Sequence, residues 1–187
     1  NIDASLKNVW DEYVNFLSAI EKIKVLDETS VNSLVSKFND YRSAVLYQIE
    51  SRPNSGQENL RSTLLEEFFC HLFEDLVKTF FEEIPNNLVL GRASGFVDLT
   101  FSPASFKDIF IKPNPYLHKK DQDFVLGVEL DVTVKSDNTE CSSETIVVPV
   151  IAIECKTYIE RNMFDSCSGT ARRLKSAAPY CVYVVAA

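Results

Sequence analysis

Val147–Tyr158 reads VVPVIAIECKTY, and this stretch decides what kind of sheet the chain builds. No charge interrupts the run from Val147 to Ile153, and Val and Ile dominate without alternation, which predicts a strand buried on both faces. Glu154, Cys155 and Lys156 follow at once. Side chains alternate across a strand, so Val148, Val150, Ala152, Glu154 and Lys156 are expected on one face. Glu154 and Lys156 then stand roughly 6.5–7 Å apart at the usual strand rise. A carboxylate and an ammonium at the end of a buried strand are costly unless paired. Two readings stay open: a structural ion pair where the chain surfaces, or half of a metal-dependent site. In the second, Glu154 holds a cation and Lys156 faces the reacting oxygen.

Working outward, the polar stretch Asp137–Glu144 predicts a loop before this strand. Ahead of it, Phe124–Lys135 predicts a Val-rich strand, bent or bulged at Gly127. Two strands joined by such a loop are most simply antiparallel. Pro113 and Pro115 punctuate an expected loop over Pro103–Lys120, and GFVDLTF, within Asn87–Ser102, is an earlier strand. Downstream, Ile159–Lys175 is expected to turn into a helix, with Ser168 or Thr170 as its cap near Gly169. Tyr180–Ala187 is a further apolar strand, and a helical crossover makes it parallel to the central one. Arg172, Arg173 and Lys175 project from that helix, either as a solvated basic face or as a phosphate-steering one.

The first half is helical. Leu6, Val9, Trp10, Tyr13, Phe16, Leu17 and Ile20 recur at three and four between Asp3 and Lys24, and a second amphipathic run reaches Glu50. Together they predict a helical hairpin over residues 1–52, either structural cover or a recognition or dimerisation arm. RPNSG, Arg52–Gly56, breaks the chain. A third helix is expected from Gln57 to Glu83, with Glu66 and Glu67 in its middle and His71 as a lone packing or surface histidine.

Glu-x-Lys at the end of a central strand resembles the second half of the PD-(D/E)xK nuclease signature. The longer string IECKTYIERNM, with Thr157, Tyr158 and Met163, is similar to type II restriction endonucleases of the heterodimeric kind that cut asymmetric sites. The resemblance covers Asn59–Ala187. It implies a restriction-endonuclease-like three-layer α/β core over residues 57–187, with a mixed four-stranded sheet preceded by the helical hairpin. It further implies a metal-dependent endonuclease acting on double-stranded DNA with Mg²⁺, or Mn²⁺ as a substitute, as a homo- or hetero-oligomer. In the signature the first Asp opens the strand before Glu-x-Lys, and an antiparallel pair would bring that opening beside Glu154. Asp123 is therefore the expected partner, with Gln122 where the signature has Pro. Asp98, Asp121 and Asp131 are its competitors. Asp123, Glu154 and the Cys155 carbonyl would hold the metal, Lys156 would act on the reaction, and Glu66, in preference to Glu67, would assist. A non-catalytic binding or assembly protein of the same fold, or a repair or junction nuclease, are the rival readings.

Composition sets bounds on these expectations. The chain has 187 residues and is 45% hydrophobic, enough for a well-buried core. Its net charge of −8 counts against a phosphate-rich partner, although Lys119, Lys120 and the Arg172–Lys175 group lie close in sequence to the expected site. Five scattered cysteines without a CxxC pair argue against zinc and disulfides and for a cytoplasmic location. No apolar run approaches a membrane span. The lack of an initiator Met and the stop after YCVYVVAA predict a fragment truncated at its C-terminus.

Overall fold

The structure, a computed structural model, describes residues 4–50, 60–136, 139–156 and 158–187. The chain forms two units, Asn1–Ile84 and Pro85–Ala187. RPNSG and Thr157 lie outside the described residues, as do residues 137–138.

The first unit is three helices: α1 (Ala4–Ile20), α2 (Glu28–Glu50) and α3 (Leu60–Phe80). Their three-and-four spacing produces one shared core. Phe16, Leu34, Phe38, Tyr41, Val45 and Ile49 are buried in it, and Leu64, Leu65, Phe68 and Leu72 of α3 pack against them. Phe16 stacks on Tyr41 with ring centroids 5.3 Å apart. The turn before α2 is fixed by a reciprocal cap. Ser30 N donates to Asp27 Oδ1 at 2.8 Å, and Asp27 N donates to Ser30 Oγ at 3.0 Å. The Ser30 N–H and the Ser30 hydroxyl, both donating to Oδ1, hold the Asp27 carboxyl below its ordinary pKa. Val25 N donates to Asp75 Oδ2 at 2.8 Å, which ties the same turn to α3.

The second unit contains β1 (Leu88–Phe101), the short α4 (Asp108–Ile111), β2 (Pro115–Ser136), β3 (Thr139–Cys155), α5 (Arg161–Ala177) and β4 (Val182–Ala186). The strands form one mixed sheet in the order β1-β2-β3-β4. β1 and β2 are antiparallel, β2 and β3 antiparallel, and β3 and β4 parallel. β1 also meets β3 directly at Gly95–Val147, so the sheet curls. α5 covers one face through Leu174, which clusters with Val97, Ala152 and Cys181. Among the described residues, no helix is long and apolar enough to cross a membrane.

Several boundaries differ from the sequence expectations. β2 begins at Pro115 rather than Phe124, because its polar first half, Tyr116–Gln122, pairs residue by residue with β1. Pro115 is tolerated as the first residue of the strand. β3 reaches back to Thr139, so Ser143 and Glu144 belong to the ladder with Thr133 and Val132. α5 starts at Arg161 with Glu160 as its N-cap, not at Ser168 or Thr170. Those two residues lie inside the helix, and Thr170 is buried as part of its packed face with Cys167 and Leu174.

The face assignment of β3 changes as well. Leu126 lies opposite Ile151 while Gly127 lies opposite Pro149, so Val150 is an extra residue, a β-bulge that reverses the alternation. Pro149, not Val148 or Val150, therefore shares the α5 side with Ala152 and Glu154. A Cβ at Gly95 would meet Leu174 Cδ2 at 3.2 Å and Pro149 Cγ at 3.7 Å, which locates Pro149 on that side. Val150 is 57% exposed. The expected bend at Gly127 is the other half of this bulge.

Candidate active site

The site forms where β2 passes the end of β3. Gly91 pairs with Val125 but Ala93 with Gln122, so β2 carries one extra residue beside Asp123 and Phe124. This second bulge lies within β2, so Asp123 does not open the strand but sits at a kink inside it. Asp123 Oδ2 accepts from Cys155 N at 2.8 Å, a side chain bridging the two strands. Lys156 Nζ stands 3.7 Å from the same oxygen and donates to Glu154 Oε1 at 2.8 Å. Lys156 N donates to Ala186 O at 2.8 Å, so β4 holds the backbone of this residue as the strand ends. The three side chains are 20% (Asp123), 18% (Glu154) and 27% (Lys156) exposed, enough to be reached from solvent.

Burial pulls the Lys156 ammonium toward neutrality. The hydrogen bond to Glu154 and the charges of Glu154 and Asp123 outweigh that and raise its pKa above the ordinary lysine value. In this arrangement Lys156 is a cation paired with two carboxylates.

The structure brings Asp123, Glu154 and Lys156 together and leaves the competitors elsewhere. Asp121 accepts from Ser94 Oγ. Asp131 accepts from Thr145 Oγ1 at 2.8 Å, and Asp98 is exposed and accepts from Leu99 N at 2.8 Å. Glu67 is occupied inside the helical unit by Tyr13 and His71. Glu66 lies beside it on α3 in that unit. Arg172, Arg173 and Lys175 are exposed on α5, whereas Lys119 is paired with Glu144 at 3.2 Å.

Two residues near the site carried no spacing signal. Tyr183 of β4 points its hydroxyl at Glu154 Oε2, 3.5 Å away. Burial first, then the Glu154 and Cys167 groups, hold its phenol far above the ordinary value. Gln122 is 1% exposed and donates to Asp121 O at 2.8 Å, but its Oε1 has no partner among the described residues. A polar residue in front of Asp123 signalled a departure from the nuclease signature, without signalling its burial.

Among the described residues, no group of three or more His, Cys, Asp and Glu could hold a metal alone. Asp123 and Glu154, two carboxylates from adjacent strands, are hard oxygen donors. That pair suits Mg²⁺, which usually takes one or two carboxylates and completes its shell with water and substrate phosphate.

A mixed sheet flanked by a crossover helix, with two carboxylates and a lysine gathered at the end of a central strand, is the restriction-endonuclease-like fold. Residues 57–187 match the model of the Bpu10I restriction endonuclease, and the chain belongs to that family. Among solved structures it is similar to one titled "native BbvCI A2B2 tetramer at low resolution". The TM-score is 0.61 at 19% identity, over 97% of this chain and 64% of that one. This chain thus spans less than two thirds of the length of that neighbour. No curated protein sequence matches.

Proposed function

We propose that the chain is a subunit of a type II restriction endonuclease that hydrolyses phosphodiester bonds of double-stranded DNA with Mg²⁺. The observation that carries this reading is the convergence of Asp123, from β2, and Glu154, from the end of β3, on the Lys156 ammonium. Asp123, Glu154 and the Cys155 carbonyl would hold the cation, with Mn²⁺ as its substitute. A cation held there would supply Lewis acidity to the scissile phosphate and to a water. Lys156 stabilises charge building on the phosphate oxygens. Glu66 would assist, and Arg172, Arg173 and Lys175 would contact the DNA backbone. Residues 57–187 are the proposed catalytic core, and residues 1–52 cover it or serve as a recognition or dimerisation arm; the family match beginning at residue 57 supports that division. Assembly with further subunits is supported by the tetramer named for the similar structure. A cytoplasmic location is supported by free cysteines at Cys70, Cys167 and Cys181.

One observation favours the second reading, a non-catalytic subunit: Lys156 closes an ion pair with both carboxylates. Plasmid cleavage by the full-length protein with its partner subunit, in Mg²⁺ and in chelator, separates the two. Lys156→Ala should abolish cleavage with DNA affinity nearly unchanged, since a transition-state interaction adds little to ground-state binding. Asp123→Asn should lose most of the rise in melting temperature that Mg²⁺ or Mn²⁺ produces in the parent. Parent-like cutting by Lys156→Ala makes the group a structural ion pair and the subunit non-catalytic.

A further inference from the structure

β4 lies along the candidate site, although nothing in its sequence marks it as chemical. In the parallel β3–β4 ladder Ala152 pairs with Tyr183 and Glu154 with Val185, so Tyr183 and Glu154 emerge on the same face. The Tyr183 ring packs against the cluster of Val97, Ala152, Leu174 and Cys181. Its hydroxyl is 3.5 Å from Glu154 Oε2, the long end of hydrogen-bond range, which a small rotation of the carboxylate closes.

The two oxygens of Glu154 thus face different kinds of partner. Oε1 meets Lys156 Nζ at 2.8 Å, a charge on a flexible stem. Oε2 faces a phenol that is neutral at working pH, on a ring packed against that cluster. A lysine on its flexible stem can swing away when another cation arrives, whereas the tyrosine ring rests against the apolar cluster. A carboxylate anchored at one oxygen keeps its orientation when the partner of the other changes.

We propose that Tyr183 is a positioning residue for Glu154, fixing the carboxylate so that Oε1 can be presented to a divalent cation in place of Lys156. This rests on the nuclease reading above and deepens it. Tyr183 itself would touch neither metal nor substrate.

The test is Mn²⁺ binding to the full-length chain, read from the electron paramagnetic resonance signal of free Mn²⁺, with no turnover required. Tyr183→Phe keeps the ring, so its melting temperature in chelator should equal that of the parent. Its Mn²⁺ affinity should fall about 3- to 10-fold, corresponding to loss of one modest hydrogen bond. Because Tyr183 acts through Glu154, Tyr183→Phe should add no further loss in a Glu154→Gln background. Parent-like affinity in Tyr183→Phe, or losses that multiply in the double variant, overturns the inference and leaves the nuclease reading standing. If the parent binds no more Mn²⁺ than Asp123→Asn does, the metal reading falls and this inference with it.

Discussion

Gln122 donates from Nε2 to backbone carbonyls on one side and leaves Oε1 buried without a partner among the described residues. Such an acceptor costs about 1–3 kcal/mol, while the bonds made by the amide contribute about 0.5–1.5 kcal/mol each. Gln122→Leu should therefore leave stability unchanged or raise it by about 1 kcal/mol in urea unfolding. A loss of more than about 2 kcal/mol would mean that Oε1 has a strong partner. The neighbouring Asp123 shows the opposite case, a polar side chain whose Oδ2 accepts from Cys155 N and faces Lys156. The residue types of this site were legible, since Glu154 and Lys156 stand out after an uncharged run. Tyr183 was not, because a tyrosine in an apolar strand reads as packing until its neighbour across the ladder is known.

At the scale of elements, the two bulges determine where the site falls. Gly127 is required by one of them: a Cβ there would lie 2.5 Å from Val148 O and 3.1 Å from Pro149 Cα. Both are backbone atoms in a central strand and cannot simply rotate away. Gly127→Ala should destabilise the chain by about 3 kcal/mol, the cost of forcing backbone shifts in a packed interior, as measured by the urea midpoint. In the helical unit, Glu67 joins α3 to α1 through Tyr13 and lies 3.2 Å from His71. The hydrogen bond with His71, opposed by burial and reinforced by Tyr13, lowers the Glu67 pKa from 4.5. A depressed carboxyl contributes stability that is fully present above its unfolded pKa and is lost as pH falls through the folded value. Stability should accordingly decline on acidification below about pH 4.5, and Glu67→Gln should flatten that decline. An identical acid limb in melting temperature against pH for parent and variant would remove Glu67 from the account.

For the whole molecule, the charge of −8 opposes DNA binding unless basic groups are concentrated where the backbone passes. α5 supplies such a concentration: Arg172, Arg173 and Lys175 are exposed on the helix that follows the Glu154–Lys156 strand end. Replacing all three with Ala should weaken binding to every duplex sequence alike. It should also reduce the slope of log affinity against log salt by about 0.9 for each phosphate no longer neutralised. Filter-binding or anisotropy titrations at several salt concentrations check this, and an unchanged slope would show that these side chains do not meet phosphate.

The sequence by itself determined the types and order of the elements. Three-and-four spacing made three helices, the uncharged Val and Ile run made the central strand, and a helix between two apolar strands made β3 and β4 parallel. These signals are local, since each is carried by residues a few positions apart. The same locality explains why Pro115–Lys120 and Ser143–Glu144 read as loop: their strand character comes from partners on β1 and β2. Only the tertiary structure decided the register. The bulge at Val150 moved Pro149 to the α5 side, and the kink beside Asp123 set that carboxylate against the end of β3. A one-residue slip is invisible in composition and periodicity, yet it exchanges the faces of a strand, because side-chain direction follows from the hydrogen bonds of the ladder.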